Sequence, residues 1–253
     1  MAAITCQTIV DQVTILSYNV RNFRLRLAQP KRLEFEPGQF VIVHVPTKGL
    51  PASTRALSAA QPAGQAGGSL LKRAYSIACP PHEEGVIELC IQHVEGGAAS
   101  TFFWQLKEGM PVTLSGPHGR FTLKQPITYE PVLMATGTGV APFRSMLKYL
   151  FHVNVTQPIW LLFGTRYEHA LLYEAEFRAM ASLRHNFHYL PTVSRPKDWH
   201  GEIGHIQQTF QKQITDWSNK EIYICGWDVA VKAVYQDLAG FGVPKEKLHF
   251  EEW

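Results

Sequence analysis

The spacing of apolar residues changes character about half-way along the chain. In the first half, apolar and polar positions alternate. Phe23, Leu25 and Leu27 fall on one face, with Arg24 and Arg26 on the other, which is the period-two signature of a half-buried strand. Thr8 to Leu16 alternates less strictly, and Phe40 to Val45 follows the turn signal Pro37-Gly38. Ala74 to Ala78, Val86 to Val94 and Val112 to Ser115 supply three more strands. Short strands separated by turn residues predict an antiparallel barrel or sandwich.

The second half reads as buried runs alternating with helical spacing. Pro131 to Ala135, Ile159 to Phe163, Phe187 to Val193, Glu221 to Cys225 and Lys247 to Phe250 are five short strands. Helices are predicted over Val140 to Phe151, Leu172 to Leu183, Ile203 to Ile214 and Val229 to Ala239. In the second helix, Leu172, Phe177, Met180 and Leu183 are expected in the core. Continuous apolar strands alternating with helices imply a parallel sheet covered on both faces. The change of period falls near Lys124 to Pro131, giving two domains, 1–125 and 126–253. Thr47 to Lys72, rich in Ala, Ser, Gly, Gln and Pro, is expected to be a long mobile loop.

Composition adds exclusions. At 253 residues and 45% hydrophobic, the chain can bury a core without disulfides or metal. Its 24 basic and 21 acidic residues leave a net charge of +3 with no like-charge run, which argues against a nucleic-acid partner. Cys6, Cys79, Cys90 and Cys225 lack zinc or iron–sulfur spacing. No apolar stretch approaches the ~20 residues of a membrane span, and the N-terminus has no signal-peptide pattern. A cytoplasmic protein with reduced thiols is expected.

Three stretches carry candidate chemistry. Thr136-Gly137-Thr138-Gly139-Val140-Ala141-Pro142 leaves a buried strand and opens a helix. Glycines let a phosphate approach the backbone, the helix N-terminus offers unpaired N–H groups, and Pro142 suits the first turn. The dinucleotide pattern G-x-G-x-x-G is not met, and a ligand-free turn fits equally well. Gly96-Gly97-Ala98-Ala99-Ser100-Thr101 precedes a short helical run; it is either an anion site or a simple capped turn. Arg73-Ala74-Tyr75-Ser76 puts Arg73 and Tyr75 on one strand face and Ser76 on the other. These side chains suit a phosphate, a ring and a ring nitrogen, and they equally suit an exposed strand.

In this order, the motifs resemble those of the ferredoxin–NADP reductase superfamily over nearly the whole chain. Arg73 to Ser76 matches R-x-Y-[ST], Gly97 to Ser100 matches G-x-x-S, and Gly137 to Pro142 matches G-T-G-x-A-P. Gly164-Thr165-Arg166 and Cys225-Gly226 follow at the corresponding strand ends. The resemblance implies a Greek-key antiparallel FAD-binding β-barrel followed by a doubly wound, five-stranded parallel NAD(P)-binding α/β domain. Arg73, Ala74, Tyr75, Ser76, Ile91, His93, Gly97, Ala98, Ala99 and Ser100 would bind FAD, with Tyr75 stacked on the flavin and Ser76 near N5. Thr136, Gly137, Thr138, Gly139, Pro142, Gly164, Arg166, Ser194, Arg195, Cys225 and Gly226 would bind the pyridine nucleotide. A Ser-Arg pair such as Ser194-Arg195 suits the 2′-phosphate of NADP, although its surroundings also resemble reductases that accept NAD. The ending Phe250-Glu251-Glu252-Trp253 is similar to V-E-x-Y, so Trp253 would cover the flavin and Glu251 would supply a carboxylate. Ser76, Cys225, Glu251 and Trp253 are thus the implied catalytic residues. The implied activity is hydride transfer from NAD(P)H to FAD, with electrons passed to ferredoxin, flavodoxin or an oxygenase component. Reduction of free flavin, or a non-catalytic sensor or assembly module, are the alternatives.

Overall fold

A computed structural model describes residues 3–46 and 70–252. The chain divides into two compact units, Met1–Thr122 and Leu123–Trp253.

The first unit is built from β1 (Ile4–Ser17), β2 (Val20–Gln29), β3 (Phe40–Pro46), β4 (Leu70–Ser76), β5 (Val86–Gln92) and β6 (Pro111–His118). They form one antiparallel sheet in the order β4-β3-β6-β1-β2-β5, with β6 inserted between β1 and β3. The two edges meet where Ile77 pairs with Leu89, which closes the sheet into a barrel. The alternation in β2 is realised: Phe23, Leu25 and Leu27 are buried, packed with Val41, Val43, Ile87, Leu89 and Leu114. A short helix, α1 (Ala98–Gln105), inserts Phe103 into this core. The expected loop ends earlier than its composition suggests, because Leu70, Leu71 and Lys72 pair with β3. Thr47 to Ser69 lie outside the described residues.

The second unit holds β7 (Glu130–Thr136), α2 (Val140–His152), β8 (Ile159–Thr165), α3 (Glu174–Leu183), β9 (Phe187–Val193), β10 (Glu202–Ile203), α4 (Ile206–Gln213), β11 (Lys220–Gly226), α5 (Asp228–Gly240) and β12 (Leu248–Glu252). All strand pairs are parallel, in the order β10-β9-β8-β7-β11-β12. Successive β7 residues face opposite layers: Val132 and Met134 join the cluster with Ile206, Phe210, Val231 and Val234, while α2 packs against β7 from the other layer. The sheet has six strands rather than the expected five. The helix expected from Ile203 begins only at Ile206, because Gly204 (φ +121°) breaks the run and frees Glu202-Ile203 to pair with β9. His205 and Gln208 then form a capping box that starts α4. Leu183 is 78% exposed rather than in the core. It lies six residues beyond Phe177, about 240° around a helix of 3.6 residues per turn. Strand order reverses between β8-β7 and β7-β11, so the C-terminal ends of β7 and β11 flank the switch point at which open α/β sheets bind ligands.

Candidate active site

In the first unit, β4 carries Arg73 to Ser76. Arg73 and Tyr75 are half-buried, and Lys72 and Ala74 are exposed, as the alternation requires. Tyr75 stands edge-on to Phe103, with ring centroids 5.4 Å apart. Burial pushes its hydroxyl up to about 12, against a smaller opposing effect of Arg73, so the phenol stays neutral. Arg73 Nη1 donates to the Lys72 carbonyl at 2.9 Å. Ser76 pairs in register with Phe40, and Phe40 pairs with His118. These three residues therefore form one row across β4, β3 and β6, facing the same side. The Phe40 and His118 rings stack at 5.6 Å, and His118 Nε2 is buried without a hydrogen-bond partner. A polar atom left in this state is a fit for a bound polar ring. Neither Phe40 nor His118 is legible as a site residue in the sequence, because their nearness to Ser76 is a matter of strand register.

The Gly97–Ser100 turn is hydrogen-bonded within itself. Ser100 Oγ accepts from Val94 N at 3.1 Å and lies 2.9 and 3.0 Å from the carbonyls of Val94 and Gly97. Its single proton is thus committed to the turn. What remains for an anion is the set of N–H groups in the first turn of α1, starting with Ala98 and Ala99. A Cβ on Gly97 would meet Ser100 Oγ at 2.8 Å. Ile91 belongs to the core, so it offers a ligand only its backbone. His93 packs against Trp104 at 4.9 Å.

In the second unit, the Gly137–Gly139 turn joins β7 to α2. A Cβ on Gly139 would lie 2.2 Å from the Cys225 carbonyl oxygen, and one on Gly226 would lie 2.1 Å from Thr136 Oγ1. The two motifs, far apart in sequence, thus touch through missing side chains. Thr136 Oγ1 is buried and has no hydrogen-bond partner. Gly137 (φ +55°) faces open space apart from Trp227 Nε1. An unpaired hydroxyl beside an open turn at a helix N-terminus fits a nucleotide phosphate. Pro142 is buried in the first turn of α2.

Cys225 pairs with Ala135 on one side and Glu251 on the other. Burial first, then the Glu251 carboxylate, push its thiol well above the usual range, and the Gly226 N–H only partly opposes this. At the next strand ends, Ser194 N donates to the Thr165 carbonyl at 3.0 Å and Arg195 N to the Arg166 carbonyl at 2.8 Å. This brings two exposed arginines, Arg166 and Arg195, to neighbouring positions. Gly164 lets Ile206 approach, since a Cβ there would lie 2.7 Å from that side chain. Trp253 lies outside the described residues.

Residues 63–123 match the oxidoreductase FAD-binding domain, and residues 133–236 match the oxidoreductase NAD-binding domain. The chain is 32% identical over 246 residues to ferredoxin–NADP reductase B of Sorangium cellulosum, covering 94% of this chain and 93% of that protein. It belongs to the ferredoxin–NADP reductase superfamily. The protein is an FAD-dependent NAD(P)H oxidoreductase. The toluate 1,2-dioxygenase electron transfer component of Pseudomonas putida is 28% identical over 98% of this reductase, which spans 67% of that longer chain. Among solved structures, an Amycolatopsis cytochrome P450 reductase superposes with a TM-score of 0.84 at 24% identity, covering 99% of this chain and 70% of that one. A Neisseria gonorrhoeae ferredoxin NADP+ reductase superposes at 0.79 with 18% identity, covering 100% and 99%. Both show the fold.

Proposed function

We propose that this reductase takes hydride from NADPH and passes electrons singly to a separate small redox protein, such as a ferredoxin, a flavodoxin or an oxygenase component. Relatives whose names describe a ferredoxin–NADP reductase and an oxygenase electron transfer component support the class of acceptor. The observation that carries the reading is the lock between Thr136–Gly139 and Cys225–Gly226 at the switch point, with the Thr136 hydroxyl left for a ligand.

Bound FAD supplies the exchange between a two-electron donor and a one-electron acceptor. Around it, the chain positions and excludes. Tyr75, braced edge-on by Phe103, presents a neutral ring to the flavin, and the first-turn amides of α1 hold the pyrophosphate. Ser76 offers a hydroxyl at the reacting edge, and His118 is a second polar group on the same row. In the second unit, the Gly137 turn and Thr136 hold the nucleotide pyrophosphate, and Arg166 with Arg195 grip the 2′-phosphate. Cys225 keeps its proton, so no thiolate charge builds up beside the nicotinamide. Glu251 is the carboxylate through which a proton moves. Trp253 would be the aromatic that covers the flavin. The FAD domain takes in residues 1–125 and the nucleotide domain residues 126–253. Among the described residues no helix is long and apolar enough to cross a membrane. Cys6, Cys79, Cys90 and Cys225 are buried thiols, which supports a cytoplasmic setting.

Anaerobic reduction of the FAD-loaded protein by NADPH and NADH, followed by addition of ferredoxin, flavodoxin or free flavin, tests this. Fast bleaching by NADPH and rapid reoxidation by a protein carrier are expected. Failure of both nucleotides to bleach the flavin overturns the reading.

A further inference from the structure

Trp227 follows Cys225-Gly226 and immediately precedes α5. Its indole is 58% exposed, an unusual position for a residue that hides most of its surface in most folds. The ring is not turned at random. Apart from the local backbone and the chain neighbours of Gly137, its Nε1 is the one described heavy atom within 4 Å of the place where a Cβ on Gly137 would stand, at 4.0 Å. The donor edge of the indole, rather than its apolar benzo edge, therefore faces the open glycine turn. An indole N–H can only donate, so this edge calls for an acceptor.

The surroundings point to an anion as that acceptor. Thr136 Oγ1, buried and unpartnered, belongs to the same corner, because Gly226 next to Trp227 lies against it. The N-termini of α2 and α5 both open there, each with positive dipole ends. Asp228, the first residue of α5, forms an ion pair with Lys232 one turn along the same helix.

We propose that Trp227 is a pyrophosphate-binding residue of the pyridine-nucleotide site. Its Nε1–H donates to a phosphate oxygen of the nucleotide seated on the Gly137 turn, and the ring walls the phosphates off from solvent. This rests on the reading of the Gly137 turn as the nucleotide site and adds to it a residue outside the glycine and Cys-Gly motifs.

The test is calorimetric titration of the FAD-loaded protein with NADP+, NAD+ and ADP-ribose, which carries the pyrophosphate without nicotinamide. Trp227→Phe keeps a ring and removes the donor. It should weaken all three ligands about tenfold, as expected for one hydrogen bond to a charged acceptor. Trp227→His, which restores an N–H, should recover most of the loss. Parent-like binding by Trp227→Phe, or a loss confined to the two nicotinamide-bearing ligands, overturns the proposal. Gly137→Val separates the two levels of the argument. If it abolishes binding with FAD retained while Trp227→Phe binds normally, the turn is the site and Trp227 is not part of it. If Gly137→Val also binds normally, both readings fall.

Discussion

Cys225 on β11 stands in register with Glu251 on β12, so a thiol and a carboxylate project side by side from adjacent parallel strands. Burial and the neighbouring carboxylate both disfavour the thiolate. The folded protein should therefore show no fast-reacting thiol at pH 8, and all four cysteines should label after unfolding in guanidinium. Titration with a chromogenic disulfide measures both. A thiol that labels in the native state and maps to Cys225 would contradict the assignment.

Glu251 is expected to act on turnover rather than on flavin binding. Glu251→Gln should lower kcat by about a hundredfold, within the usual range for loss of an acid–base group, with FAD content unchanged. Steady-state kinetics beside the flavin absorbance separate the two effects.

Arg166 and Arg195 are joined by the 2.8 Å backbone bond between their strand ends, and both side chains are exposed. Arg195→Ala should weaken NADPH about ten- to a hundredfold, the worth of a charged hydrogen-bonded contact, and leave NADH almost unchanged. Equal effects on KM for both nucleotides would remove Arg195 from the 2′-phosphate site.

Glu221 ties together the start of the second unit. Its carboxylate lies 2.6 Å from Lys124 Nζ and 2.8 Å from His249 Nε2, and Tyr223 OH accepts from Lys124 N. Burial alone would raise the Glu221 pKa, but these two partners outweigh it and hold the group below its usual 4.5. A depressed carboxylate stabilises the fold fully above the unfolded value and loses that contribution as pH falls through the folded one. Urea midpoints should therefore drop below about pH 4.5. Glu221→Gln should lower stability at pH 7 and flatten that part of the profile.

Much of this was legible in the chain and some was not, for physical reasons. Phe23, Leu25 and Leu27 declare their face because a strand has period two. The runs ending at Ala135 and Cys225 declare parallel strands because both faces are buried. β10 was hidden, since two residues carry no period and Ile203 reads as readily as the start of α4. Leu183 misled because an apolar residue at a helix end need not complete the stripe. Glycine motifs announce a turn, but not that Gly139 rests on the Cys225 carbonyl. His118 and Trp227 are placed only by register and by the turn they overhang, neither of which is written in local spacing.

The contact of Gly139 with Cys225, and of Gly226 with Thr136, makes a dovetail of two sequence words nearly ninety positions apart. Neither half can be widened alone. A Gly139→Ala or Gly226→Ala change drives a methyl into the opposing half and should cost about 1–3 kcal/mol of stability, visible as a lower melting temperature. A combinatorial library that randomises one word at a time should return only glycine at each position. Only libraries that vary both together, with Thr136 included, could find another joint that closes. For protein engineering, the switch-point end of this sheet is thus a single inherited part.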